Sequence, residues 1–174
     1  MASEILIREE RAEDGAAVRI VNERAFGQPQ EANIVDRLRP SCPDLLSLVA
    51  ASGEKVVGHI LFSPATVRKD SDVVRGMGLA PMAVLPEYQR QGIGSKLVRT
   101  GLAILRERLC PFVIVLGHPD YYPRFGFQPA SKYGLKCQWS GAPIEAFMAL
   151  IMDGPTMKGV SGVVSYRDEF NEAM

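Results

Sequence analysis

The sequence predicts an α/β domain built on a mixed, largely antiparallel β-sheet with two parallel central strands, flanked by helices on both faces. Three observations carry this prediction. Apolar runs at residues 45–51 and 56–62 meet at Ser52-Gly-Glu-Lys, a turn composition suited to an antiparallel hairpin. Two continuous apolar runs, 79–85 and 112–116, are separated by a helical stripe of Leu97, Val98, Gly101, Leu102, Leu105 and Leu109, the pattern of a βαβ unit with parallel strands. Helix and strand patterns run end to end through 174 residues that are 47% apolar, so one domain over 1–174 with a sizeable core is expected.

In chain order, Ile5 and Ile7 alternate with polar neighbours as a first strand, within an N-terminal Met-Ala-Ser-Glu-Ile-Leu-Ile-Arg that lacks the basic start of a signal peptide. Asp14 is placed to cap a helix whose apolar residues Ala17, Val18, Val21, Ala25 and Phe26 recur at helical spacing. Gly27-Gln-Pro-Gln breaks that helix, and Ile34, Val35 and Leu38 mark a short second one over 31–39, stopped by Pro40. After the hairpin a meander continues to Gly78. Within the run 79–85, Pro81 has no N–H to donate, so the ladder is expected to break there. The next helix is read over 95–109. Past Gly117, the prolines and glycine of His-Pro-Asp-Tyr-Tyr-Pro-Arg-Phe-Gly-Phe allow about one or two helical turns. Residues 130–141 read as irregular, and 146–152 and 160–166 as closing strands.

Composition excludes more than it names. Twenty basic residues balance twenty acidic ones, which leaves no general footprint for nucleic acid or an anionic membrane. No apolar run approaches the roughly 20 residues of a membrane span, and a cytoplasmic protein is expected. The three cysteines, Cys42, Cys110 and Cys137, lie in unrelated contexts and only two histidines accompany them, so reduced thiols and no metal site are expected. Assembly as a homodimer is left open.

The most informative stretch is Ala83-Val-Leu-Pro-Glu-Tyr-Gln-Arg-Gln-Gly-Ile-Gly-Ser95, which joins an apolar strand to an amphipathic helix through a glycine-bearing turn. Helix N-termini carry unpaired N–H groups and the positive end of the dipole, and glycines let a phosphate approach the backbone. The turn lacks the upstream glycine of a P-loop and the third glycine of a dinucleotide fingerprint.

Gln89-Arg-Gln-Gly-Ile-Gly94, in this setting, resembles the acetyl-CoA signature of the GNAT N-acetyltransferase superfamily, and Tyr122-Pro-Arg-Phe-Gly-Phe127 resembles the family's later segment. The resemblance is strong over 53–127. It implies acetyl-CoA as co-substrate, held by the backbone of Met82, Ala83 and Val84 along its pantetheine arm and by the main-chain N–H groups of Gln89, Arg90, Gln91, Gly92, Ile93, Gly94 and Ser95 at its pyrophosphate, with an added side-chain contact from Arg90. It further implies direct attack by a primary amine, of a small molecule or a protein, in a ternary complex, with Tyr122 protonating the departing sulfur. A phenol of pKa about 10 facing a thiol of about 8.5 makes full transfer uphill by only about 2 kcal/mol. Many relatives place a glutamate base on the bulged strand; the run 79–85 contains none, and His59 and His118 are the residues that titrate near neutrality. That gap sustains an alternative, a catalytically weak acyl-CoA-binding sensor or interaction module. Trp139 and Tyr133 are candidates for lining an amine pocket, with core packing the commoner use of such residues.

Overall fold

The computed structural model describes residues 4–172, so residues 1–3 of the N-terminal stretch lie outside the described residues. Two compact units emerge, one of residues 4–62, 81–103 and 169–172, the other of 63–80 and 104–168.

In the first unit, β1 (Ile5–Glu9), β2 (Leu46–Ser52) and the opening half of β3 (Lys55–Lys69) form an antiparallel ladder, with Ile7 opposite Ala50 and Leu48 opposite Ile60. The hairpin predicted at Ser52 is present. Helices α1 (Gly15–Phe26) and α2 (Gln30–Ser41) pack against each other, burying Val18, Val21, Ile34, Val35 and Leu38. Each such side chain contributes about 1.5 to 3 kcal/mol when fully removed from water. Two details correct the sequence reading. Asp14 does sit at the N-cap of α1 but makes no capping bond to it; its carboxylate accepts from Arg11 N at 2.7 Å and pairs with Arg8, closing a short 3-10 turn before the helix. Pro40 does not stop α2, because near the C-terminus its missing N–H removes a single bond while Cys42 N still reaches Leu38 O at 2.9 Å.

Helix α3 (Ile93–Glu107) starts two residues earlier than predicted and ends two earlier. Ile93, Leu97, Val98, Leu102 and Leu105 of its stripe are buried, whereas Leu109 adopts a left-handed φ of 60° and stands 85% exposed.

A polar network is buried in the first unit. Asn22 Nδ2 donates to Val18 O at 3.0 Å and to His59 Nδ1 at 3.1 Å, which assigns the His59 proton to Nε2, facing Ser47 Oγ at 2.9 Å. The Ser47 hydroxyl donates in turn to Glu10, which Arg39 pairs. Burial first, and Arg39 second, hold His59 down at about 3. The folded state therefore refuses a proton that the unfolded chain takes near pH 6.5. Stability is fully present above that value and is lost as pH falls toward 3, at up to about 1.4 kcal/mol per pH unit. Denaturant midpoints measured from pH 7.5 to 5 are expected to fall, and His59→Gln to flatten that slope; an identical slope in the variant would contradict the assignment.

In the second unit the strand order is β3-β4-β5-β8-β6, with β4 at Asp72–Val84, β5 at Phe112–Leu116, β6 at Gln128–Pro129 and β8 at Phe147–Ile151. The pair β4–β5 is parallel from Met77 opposite Val113 to Leu79 opposite Val115, and β5–β8 is antiparallel. The parallel ladder ends two residues before Pro81, although β4 itself continues as a strand to Val84. Residues 130–141 are not wholly irregular. They contain β7 (Leu135–Cys137), which pairs in parallel with β9 (Gly162–Ser165), itself antiparallel to β3. Three residues are too few to display a period. A one-turn helix, α4 (Gly154–Met157), also escaped the pattern; Asp153 caps it through Thr156 N at 3.1 Å. Cys42, Cys110 and Cys137 are free thiols. Among the described residues no helix is long and apolar enough to cross a membrane, and no group of His, Cys, Asp or Glu is arranged to hold a metal ion.

Candidate functional site

Met82, Ala83 and Val84 form the last residues of β4, Ala83 and Val84 buried and Met82 half-buried. The chain beyond is held in place, since Leu85 N reaches Val57 O at 2.9 Å and Pro86–Tyr88 makes one 3-10 turn. Arg24 grips Glu87 in this turn with two bonds of 2.9 Å, and its guanidinium keeps the Glu87 carboxylate below the usual range. That carboxylate is thus charge-covered beside a place where an anion is expected. The Lys55 ammonium lies 5.3 Å over the Tyr88 ring.

Gln89 is extended, and its side chain donates to Val84 O at 2.9 Å, while Gln91 Nε2 donates to Glu87 O at 3.3 Å. Both amide side chains brace the loop from within. Arg90, exposed, takes a left-handed φ of 62°, which disfavours a non-glycine residue by about 1 to 2 kcal/mol. Gly92 follows at φ 83°, with no atom beyond its chain neighbours within 4 Å of the position a Cβ would occupy. Ile93, 2% exposed, then anchors the first turn of α3, and Lys96 N opens its ladder on Gly92 O at 3.0 Å. The amides of Ile93 and Gly94 occupy first-turn positions of α3. This turn has open space at Gly92 and a helix dipole behind it, two features that favour an anion.

Tyr122 belongs to the second unit and opens the single turn Tyr122–Phe125. Its ring rests on Gly117, where a Cβ would lie 2.6 Å from Tyr122 Cε2, and meets Phe127 and Tyr121 edge-on at 5.7 and 5.1 Å. Only glycine at 117 admits that approach. Burial pushes the phenol up from its ordinary value, so it is neutral at physiological pH. This revises the sequence estimate, because the gap to a thiol is wider than about 2 kcal/mol. Tyr121 instead carries Arg124, whose guanidinium lies 4.5 Å over its ring.

The other residues considered fall elsewhere. His59 is enclosed in the first unit with both ring nitrogens engaged, whereas His118 is exposed. Cys110 Sγ donates to Phe112 O at 3.2 Å. Tyr133 lines an open groove of about 810 Å³ with Ile151, Met157 and Val160, and Trp139 stacks on Tyr166. Sequence reading took Tyr166 only for a strand end; the available signal was Gly78 inside a strand, since such a glycine marks close approach, here of the Tyr166 ring.

Comparison with known proteins identifies the family. Residues 7–130 match the family described as an acetyltransferase (GNAT) domain. The uncharacterized N-acetyltransferase YjhQ of Escherichia coli K12 is 47% identical over 120 residues, covering 68% of this chain and 66% of that protein. The uncharacterized N-acetyltransferase YhbS of Escherichia coli is 36% identical over 96% of this chain and 99% of its own. A crystal structure of YhbS in complex with CoA superposes with a TM-score of 0.90, covering 98% of this chain and 94% of that one at 35% identity. A GNAT family acetyltransferase from Brucella melitensis in complex with acetyl-CoA, 36% identical, gives 0.76 over 96% of this chain and 98% of that one. By fold, by family pattern and by kinship along nearly its whole length, the chain belongs to the GNAT family of acetyltransferases.

Proposed function

We propose that this chain, as a single catalytic domain, transfers the acetyl group of acetyl-CoA to a primary amine by direct attack in a ternary complex. The observation that carries the reading is the turn from Gln89 to Ser95, with left-handed backbone at Arg90 and Gly92 and open space where a side chain would stand. Its amides bind the pyrophosphate and the backbone of Met82, Ala83 and Val84 pairs with the pantetheine amides, as an added strand does. The CoA and acetyl-CoA complexes of the two relatives support that choice of ligand.

The amine nitrogen attacks the thioester carbonyl, forming the C–N bond and a tetrahedral oxyanion. Collapse re-forms the carbonyl and breaks the C–S bond. The Tyr122 hydroxyl gives its proton to the departing thiolate, and the proton shed by the new amide nitrogen returns to Tyr122. Donation and return are coupled, because burial makes a free Tyr122 phenolate costly. His59 does not serve as base, being enclosed and held at about 3, and the residues of β4 from Leu79 to Val84 offer no carboxylate. The acceptor consequently enters as free base, its proton left to water.

Release of CoA thiol from acetyl-CoA, followed with a thiol-reactive chromophore across aliphatic diamines, aromatic ethylamines and short peptides, tests the proposal. Turnover on at least one amine is expected. Tight CoA binding with no release on any amine would establish the sensor instead.

A further inference from the structure

The turn from Gln89 to Ser95 holds a conformation that its own residues do not favour. Arg90 is left-handed without being a glycine, and such a residue persists only where its surroundings over-determine it. Tyr88 N and Gln89 N reach Leu85 O and Pro86 O at 2.8 and 3.3 Å, and the Gln89 and Gln91 side chains donate to Val84 O and Glu87 O. These bonds shape the loop from within. They do not seat it on the helices of the first unit.

From outside, Val57 O holds Leu85 N at the start of the loop, and beyond that point Arg24 takes hold of Glu87. Arg24 stands in the last turn of α1 and gives one terminal nitrogen to each Glu87 oxygen, both at 2.9 Å, a fork that fixes direction as well as distance. Lys55 lies 3.9 Å from the same carboxylate, too far for a hydrogen bond. The Glu87 carbonyl receives Gln91 Nε2, so Glu87 joins α1 through its side chain to the strained part of the turn through its backbone. Both partners of the ion pair are about half exposed, and such a pair adds little to global stability. Electrostatics alone also disfavours a carboxylate two residues before a turn that receives a diphosphate. Glu87 is there as the handle that Arg24 grips.

We propose that Arg24 is a positioning residue for acetyl-CoA binding: through Glu87 it seats the turn from Gln89 to Gly94 on α1 and holds it in its left-handed form before the ligand arrives. The inference rests on that turn being the pyrophosphate site. A preorganised loop costs the ligand less ordering, so the clamp raises affinity without touching CoA.

Arg24→Ala is expected to raise the calorimetric Kd for CoA roughly 3- to 10-fold and to leave kcat at saturating acetyl-CoA within about twofold. Glu87→Ala is expected to weaken CoA binding to the same extent, although it removes a negative charge from beside a polyanion, and the double variant to lose no more than either single one. Arg24→Lys keeps the charge but cannot form the fork, and is expected to behave as Arg24→Ala. Arg19→Ala breaks ion pairs to Glu23 and Asp36 on the same helix and is expected to bind CoA as the wild type does. Tighter binding in Glu87→Ala, wild-type affinity in Arg24→Lys, or an equal loss in Arg19→Ala would overturn the proposal. A readout without ligand separates the clamp from the site. Amide hydrogen exchange across Gln89 to Gly94 is expected to quicken in Arg24→Ala and Glu87→Ala, and unchanged exchange there would overturn the clamp. Unchanged CoA affinity in Gly92→Val would remove the pyrophosphate reading instead, while the exchange rates would still report whether Arg24 seats the turn.

Discussion

Tyr122→Phe is expected to lower kcat about 100-fold, the usual yield of a single positioned acid, while the Kd for acetyl-CoA stays within about twofold. The substitution keeps the ring that sits on Gly117 and packs edge-on against Phe127, so the loss reports the hydroxyl alone. The pH profile sharpens the expectation. Burial raises the phenol, so the donor stays protonated where a free tyrosine begins to ionise, and the wild-type rate is expected to show no alkaline fall below pH about 10. An unchanged kcat in the variant at saturating acetyl-CoA and amine, or an alkaline limb near pH 8 that the variant abolishes, would remove Tyr122 from the chemistry or require a different environment for it.

Gly92→Val is expected to weaken CoA binding roughly 10- to 100-fold, corresponding to the loss of one or two charge-assisted amide contacts. The φ of 83° disfavours a β-branched residue, and beyond the adjoining residues no protein atom lies within 4 Å of the new Cβ. The fold therefore has space for the side chain, and the ligand is what it would obstruct. Gly53→Ala separates strain from obstruction. Gly53 also has a left-handed φ, 60°, and open space, but it sits in the β2–β3 turn. That variant is expected to lose some stability and keep its CoA affinity by calorimetry. Equal losses of affinity in both would show that the Gly92 effect is general strain.

The parts of this chain that can be read in its sequence are those whose cause is local. Ile5, Ile7, the hairpin at Gly53 and the α3 stripe declare themselves through period and turn composition, and Gln89 to Gly94 declares a strand-to-helix turn because helix polarity and glycine freedom are written in adjacent residues. Pro81 announced a break in pairing near the end of the parallel ladder, which stops two residues before it. Causes distant along the chain were hidden. One local competition was missed as well: Asp14 was read as a helix cap, but Arg8 and Arg11 N, six and three residues away, claim its carboxylate. The burial that raises Tyr122 comes from Gly117, Phe127 and neighbours gathered by folding, so the sequence supplied the ordinary phenol value. Tyr166 looked like the end of a strand, because Gly78 and Trp139 meet it only once β4, β7 and β9 are assembled.

The central claim is that the turn from Gln89 to Ser95 holds the pyrophosphate of acetyl-CoA. A crystal structure of the protein grown with CoA tests it most directly. The account predicts pyrophosphate oxygens about 3 Å from main-chain nitrogens between Gln89 and Ser95, with the pantetheine arm paired to the backbone of Met82, Ala83 and Val84. A pyrophosphate held on any other segment, with those amides facing only water, would contradict it.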